Sequence, residues 1–214
     1  MDPRLPLAAA GLAWGLLADR IGARWPAHDD GSTRSVDWRS ALTGLVGAVV
    51  GVALGGRTGD PLEIAFLGLY AAALVLLLAT DLDQRLLPDV VTLPLIGYAV
   101  VGLATGSGPY VGLDDGLAPA IAAAVGLPLG LWLLAIPFGR GAIGLGDLKL
   151  LVSVALVGGA ARAVAGLATG AILAGIVIAA LLVARRLTLK SFVPYGPFLI
   201  VGALWAILGQ VGVG

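Results

Sequence analysis

Long apolar runs, broken by short charged or glycine- and proline-rich stretches, dominate this chain. The breaks recur at about the spacing needed for twenty or so apolar residues to cross a hydrocarbon layer. Cutting at charges, glycines and prolines predicts about eight helical segments, near 4–20, 41–56, 62–80, 90–106, 116–136, 148–160, 163–184 and 195–211. The expected architecture is therefore all-α: a polytopic membrane helix bundle. Residues 1–60 form an N-terminal two-helix segment with a shortened loop, and 61–214 form the main bundle. The run Leu5 to Ala18 lacks the basic flank and small-residue cleavage site of a secretory signal, so it reads as the first membrane helix.

Composition sharpens this picture. Of 214 residues 59% are hydrophobic, and the mean hydropathy is +1.01, beyond the range of soluble domains. The thirty-three glycines suit helices that approach closely through small residues. A net charge of zero argues against nucleic acid as a partner. With no cysteine and a lone His28 in a polar loop, disulfides, thiol catalysis and a structural zinc site are excluded, and no metal site is expected. The absence of asparagine removes any N-glycosylation acceptor.

Lys and Arg positions orient the bundle. With the N-terminus outside, the inner loops collect Arg20, Arg24, Arg34, Arg39, Arg85, Arg140, Lys149, Arg185, Arg186 and Lys190, and the outside keeps Arg4, Arg57 and Arg162. This puts Asp81 and Asp147 at the cytoplasmic face of the membrane, though more than sixty residues separate them. Several acids have structural readings: Glu63 with Pro61 starts the third helix, Asp89 after Pro88 caps the fourth, and Asp83 is a solvated acid. The turn residues of 106–109 and 114–116 punctuate the outer side. Arg85 and Lys149 read as interfacial anchors.

Asp81 and Asp147 are the candidates for chemistry, although either acid could merely end or cap a helix. Two carboxyls a few ångströms apart cannot both ionise comfortably and so share a proton, the arrangement that aspartyl proteolysis needs. Gly144 and Gly146 remove side chains beside Asp147, letting its backbone approach another helix or a peptide.

At these residues the sequence resembles the type IV prepilin peptidases, membrane aspartyl proteases that also process the pseudopilins of type II secretion. Asp81 followed by Leu87-Pro88 matches one family element, and Gly144-Leu145-Gly146-Asp147-Leu148-Lys149 matches the other. Pro194-Tyr195-Gly196-Pro197-Phe198 resembles the segment leading into the family's last helix. The resemblance implies catalysis by Asp81 and Asp147, with Gly144, Gly146, Lys149 and Pro88 in support. It implies a prepilin or pseudopilin substrate cut at the cytoplasmic face of the inner membrane, with no cofactor required for proteolysis. Gly11-Leu-Ala-Trp-Gly15 and Arg24-x-Pro26 look like an eroded form of the first helix of the longer members. Those members bind zinc through loop cysteines and methylate the new N-terminus with S-adenosylmethionine. This chain lacks the cysteines, so S-adenosylmethionine is expected only if methylation is retained. A stripe such as Gly166-Leu-Ala-Thr-Gly170 offers the substrate helix a docking surface.

Other functions fit less of the pattern. A proton-coupled transporter using the same acids calls for carboxyls nearer the bilayer midplane. A non-catalytic assembly factor has no need of two acids in these settings. Presenilin-like proteases share the Gly-x-Gly-Asp box, but their Pro-Ala-Leu signature is missing near the C-terminus.

Overall fold

The computed structural model describes residues 2–27, 31–57, 60–106, 117–139, 143–186 and 195–209. His28, Asp29, Asp30, Asp114, Asp115, Arg140, Lys190 and Pro194 lie outside them. The described residues form seven α-helices, a short 3-10 helix (Ile136–Phe138) and no strand: α1 (Arg4–Gly22), α2 (Trp38–Gly55), α3 (Pro61–Gln84), α4 (Asp89–Thr105), α5 (Leu117–Ala135), α6 (Leu145–Val183) and α7 (Gly196–Leu208). Four of them, α2, α3, α5 and α6, are long and apolar enough to cross a membrane.

Local chemistry sets the helix ends. Asp37 and Ser40 form a reciprocal capping box at the start of α2. At α3, Asp60 accepts the Leu62 N–H at 2.9 Å and Pro61 occupies the first turn beside Glu63, as the sequence predicts. Gly106 ends α4 in the left-handed conformation. Asp89 stands in the first turn of α4 but makes no side-chain cap, because Pro88 holds the cap position.

α1 and α2 pack antiparallel along a glycine seam. Gly11 faces Gly47, Gly15 faces Thr43, and Gly51 faces Leu7. A Cβ on Gly11, Gly47 or Gly51 would come within about 2 Å of a backbone oxygen of the partner helix, so only glycine permits this approach. α3 is the central element, with Leu67, Tyr70, Leu74 and Leu77 fully buried. The Tyr70 hydroxyl pairs with Ser153 Oγ on α6 at 2.9 Å, so this polar group deep in the core is satisfied.

The expected sixth and seventh segments lie within the single element α6, which is broken at Gly159 (φ 74°, ψ 177°). Neighbours on α7 reveal the path. Gly158 lies near Ile207, Gly166 against Gly202 and Ala206, and Gly170 against Phe198. Gly146, at the other end of the first arm, lies against Leu87. The arms 145–158 and 160–183 therefore run in opposite senses, reversing at a residue whose positive φ favours glycine. The stripe Gly166 to Gly170, expected as a substrate docking surface, is occupied by α7: a Cβ on Gly202 would come 2.2 Å from the Gly166 carbonyl oxygen.

The bundle has two chemically distinct ends. At one, Arg57 binds the Ile207 carbonyl at 2.7 Å and approaches Glu63 at 3.8 Å, with Arg4 against Gly55. At the other, the ends of α1 and α3 meet the starts of α2, α4, α6 and α7. This second end carries both candidate acids.

Candidate active site

Asp81 lies in the last turn of α3. Its carbonyl accepts the Arg85 N–H at 2.9 Å, and Arg85 ends the helix in the left-handed conformation (φ 56°, ψ 38°), a local role rather than a simple interfacial one. Only 5% of Asp81 is exposed, and its buried Oδ2 has no hydrogen-bond partner among the described residues. Leaving such an oxygen unsatisfied is costly.

Asp147 lies in the first turn of α6, partly buried. Its carboxyl bonds back to the backbone of Gly144, the residue that caps α6, which is half of a capping box. Gly146 meets Leu87 so closely that a Cβ would come 2.7 Å from the Leu87 Cβ. The Leu87-Pro88 turn and the Gly-x-Gly-Asp box are thereby pressed together. Asp147 is near enough to Asp81 to act on it electrostatically, and it acts on Tyr195 as well; Arg85 supplies a compensating positive field at Asp81. Both acids sit at helix ends rather than in the middle of the bundle.

Asp81 borders a cavity of about 490 Å³ whose wall includes Trp38, Arg39, Asp83, Gln84, Arg85 and Pro197. Asp147 does not line this cavity. The wall is built by the start of α2, the end of α3 and the start of α7, and the loop between α1 and α2 is pinned to this end of the bundle by Arg34. That guanidinium reaches Asp83 at 2.5 Å, Asp37 at 2.6 Å and also Asp19. Arg39 joins Asp83 at 3.0 Å, Ser40 donates to Asp19 at 2.6 Å, and Gln84 Nε2 donates to the Pro26 carbonyl at 2.6 Å. Burial works against the charge on Arg34, yet Asp19 and Asp83 more than offset it and hold the guanidinium above its ordinary pKa.

Three sequence expectations are corrected here. Asp83 is not solvated: its side chain is 2% exposed and paired with two arginines. Asp89, rather than capping α4 with its side chain, meets Lys149 at 2.6 Å, and Lys149 ties α6 to α4 instead of reaching freely toward head groups. Asp19, 1% exposed, was not singled out by sequence reasoning at all. Its signal was an acid in the last turn of an apolar helix, the same setting as Asp81, with Arg34 and Ser40 downstream to receive it.

The sequence profile of the type IV leader peptidase family matches residues 68–184, from within α3 to just past the end of α6, and so includes both Asp81 and Asp147. The chain belongs to the type IV leader peptidase family. As a member of that family with four helices suited to crossing a membrane, it is an integral membrane protein.

Similarity to curated leader peptidases extends beyond the matched region. The chain is 35% identical over 196 residues to a prepilin leader peptidase/N-methyltransferase of Dickeya chrysanthemi, covering 90% of this chain and 67% of that protein. It is 29% identical over 184 residues to one from Dichelobacter nodosus, covering 85% and 62% of the two chains. For Pseudomonas aeruginosa the figures are 30% over 141 residues, 66% and 46%. The chain thus spans about half to two thirds of the length of these curated relatives. No solved structure matches it.

Proposed function

We propose that this leader peptidase family member is a membrane-embedded aspartyl endopeptidase. It removes the basic leader from type IV prepilin or pseudopilin precursors at the cytoplasmic face of the inner membrane. The observation that carries this reading is that Asp147 stands near enough to Asp81 to act on it electrostatically, although the acids are more than sixty residues apart, in a chain of this family. The ionised member of the pair takes a proton from water as that water attacks the scissile carbonyl. The protonated member donates to the carbonyl oxygen, and the tetrahedral intermediate collapses when a proton passes to the leaving amine. The pair shares these protons, so the titration belongs to both acids. Two carboxyls and a water suffice, and the reaction calls for no cofactor.

The cytoplasmic orientation is supported by charge. Arg20, Arg34, Arg39, Arg85 and Lys149 gather at the end of the bundle that holds the acids, while Arg4 and Arg57 stand at the other. A precursor with a basic leader and an apolar helix fits this geometry: its helix lies in the bilayer and its cleavage site meets the cavity beside Asp81.

The test is processing of a co-expressed pilin precursor. Asp81→Ala and Asp147→Ala are each expected to abolish leader removal, with a loss of at least about 1,000-fold for the purified enzyme. Full processing by either variant overturns the reading. Uptake coupled to a pH gradient in reconstituted vesicles, without cleavage, would reassign the acids to a transporter.

A further inference from the structure

We propose that Gly196 is a positioning residue for the Asp81–Asp147 pair: lacking a side chain, it lets the start of α7 close on the Asp81 carboxyl and fixes where that carboxyl stands. The catalytic half of this proposal rests on the peptidase reading above. Gly196 opens α7 and does not have a left-handed φ, so the backbone conformation does not demand glycine there. Space does. A Cβ at position 196 would lie 2.4, 2.8 and 2.9 Å from Oδ2, Cγ and Oδ1 of Asp81, and these are its three nearest atoms. The carboxyl stands in the room a side chain would need. Other tight glycines in the bundle serve different ends: Gly202 faces the backbone of α6 and Gly146 faces Leu87.

The buried Oδ2 of this carboxyl has no hydrogen-bond partner among the described residues, so the close approach of Gly196, not a hydrogen bond, limits where that oxygen stands. The turn that presses on it is well formed. Phe198 and Leu199 both donate to the Tyr195 carbonyl at 3.1 Å, and the Tyr195 hydroxyl donates to the Leu167 carbonyl at 3.3 Å, anchoring the turn to the second arm of α6. Tyr195 also feels the charge of Asp147, and Pro197 lines the cavity beside Asp81. Gly196 and Pro197 of the third sequence motif thus meet the candidate site, and Tyr195 before them lies within the electrostatic reach of Asp147. A shift of about an ångström at a reacting group costs on the order of 100-fold in rate, and an added methyl at position 196 forces a displacement of that order.

The experiment compares the full-length chain with Gly196→Ala, Asp81→Ala and the double variant, and uses Gly126→Ala as control because a Cβ there meets nothing within 4 Å. Thermal unfolding in detergent is expected to fall with Gly196→Ala when Asp81 is present and to stay level when residue 81 is alanine. Cleavage of a pilin precursor by Gly196→Ala is expected to lose about 100-fold in kcat with KM changed less than about threefold. Gly126→Ala should match the wild type in both assays. If Gly196→Ala does not accumulate, recovery of folded protein in the double variant supports the contact. An equal drop in Tm, or equal failure to accumulate, with and without the Asp81 carboxyl overturns it, as does a wild-type kcat in Gly196→Ala. A wild type that cleaves no precursor sinks the peptidase reading instead, and the unfolding comparison still decides the contact.

Discussion

Two groups of buried aspartates occupy the same end of this bundle, and they are treated in opposite ways. Asp19 and Asp83 are surrounded by donors: Arg20, Arg34 and Ser40 for one, Arg34 and Arg39 for the other. Asp81, two residues from Asp83 in the chain, is left with an oxygen that has no partner among the described residues, a glycine against it and a second acid nearby. A buried charge that is fully paired holds elements together. A buried acid without partners is a liability for folding and is characteristic of sites where stability is given up for reactivity. The contrast separates scaffold from chemistry more sharply than residue type does.

Substitutions at the two groups should therefore fail in different assays. The largest effect on catalysis is expected from Asp81→Ala, which loses at least about 1,000-fold in cleavage while its unfolding midpoint stays level or rises, since an unsatisfied buried carboxyl is removed. A Tm drop of many degrees in that variant would break the comparison. Next, Asp83→Ala or Arg34→Ala is expected to cost about 3–5 kcal/mol of stability, because each strands a buried partner; denaturant unfolding measures it. Cleavage per folded molecule of these variants should fall far less than in Asp81→Ala, and an equal fall would place Asp83 with the chemistry. The smallest effect is expected at Lys149 and Asp89, whose side chains are 30% and 60% exposed: Lys149→Met should cost under about 1 kcal/mol. A loss of activity there without a loss of stability would give Lys149 a role on the substrate.

Much of this was legible in the chain. The apolar segments, the proline starts at Pro61 and Pro88, and the pairing of Asp81 with Asp147 as the acids of interest all follow from local pattern and motif. What escaped was partnership. Asp83 reads as a solvated acid because the residues that neutralise it, Arg34 and Arg39, lie more than forty residues away and reach it only once α1, α2 and α3 are packed. Asp19 escaped because, beyond its neighbour Arg20, its partners Arg34 and Ser40 lie 15 and 21 residues downstream and reach it only after packing. The stripe Gly166 to Gly170, expected to dock the substrate helix, is instead covered by α7 of the same chain.

The sequence by itself determined that the chain is an apolar helical bundle, approximately where most of its helices start and stop, and that Asp81 and Asp147 stand at helix ends. These are matters of hydropathy, backbone freedom and capping, and they act over a few residues. Only the tertiary structure decided which acids are neutralised and which are left exposed to each other, because Coulomb and hydrogen-bond energies depend on distance in space. In a bundle that brings six helix ends together, that distance is set by packing between elements far apart along the chain.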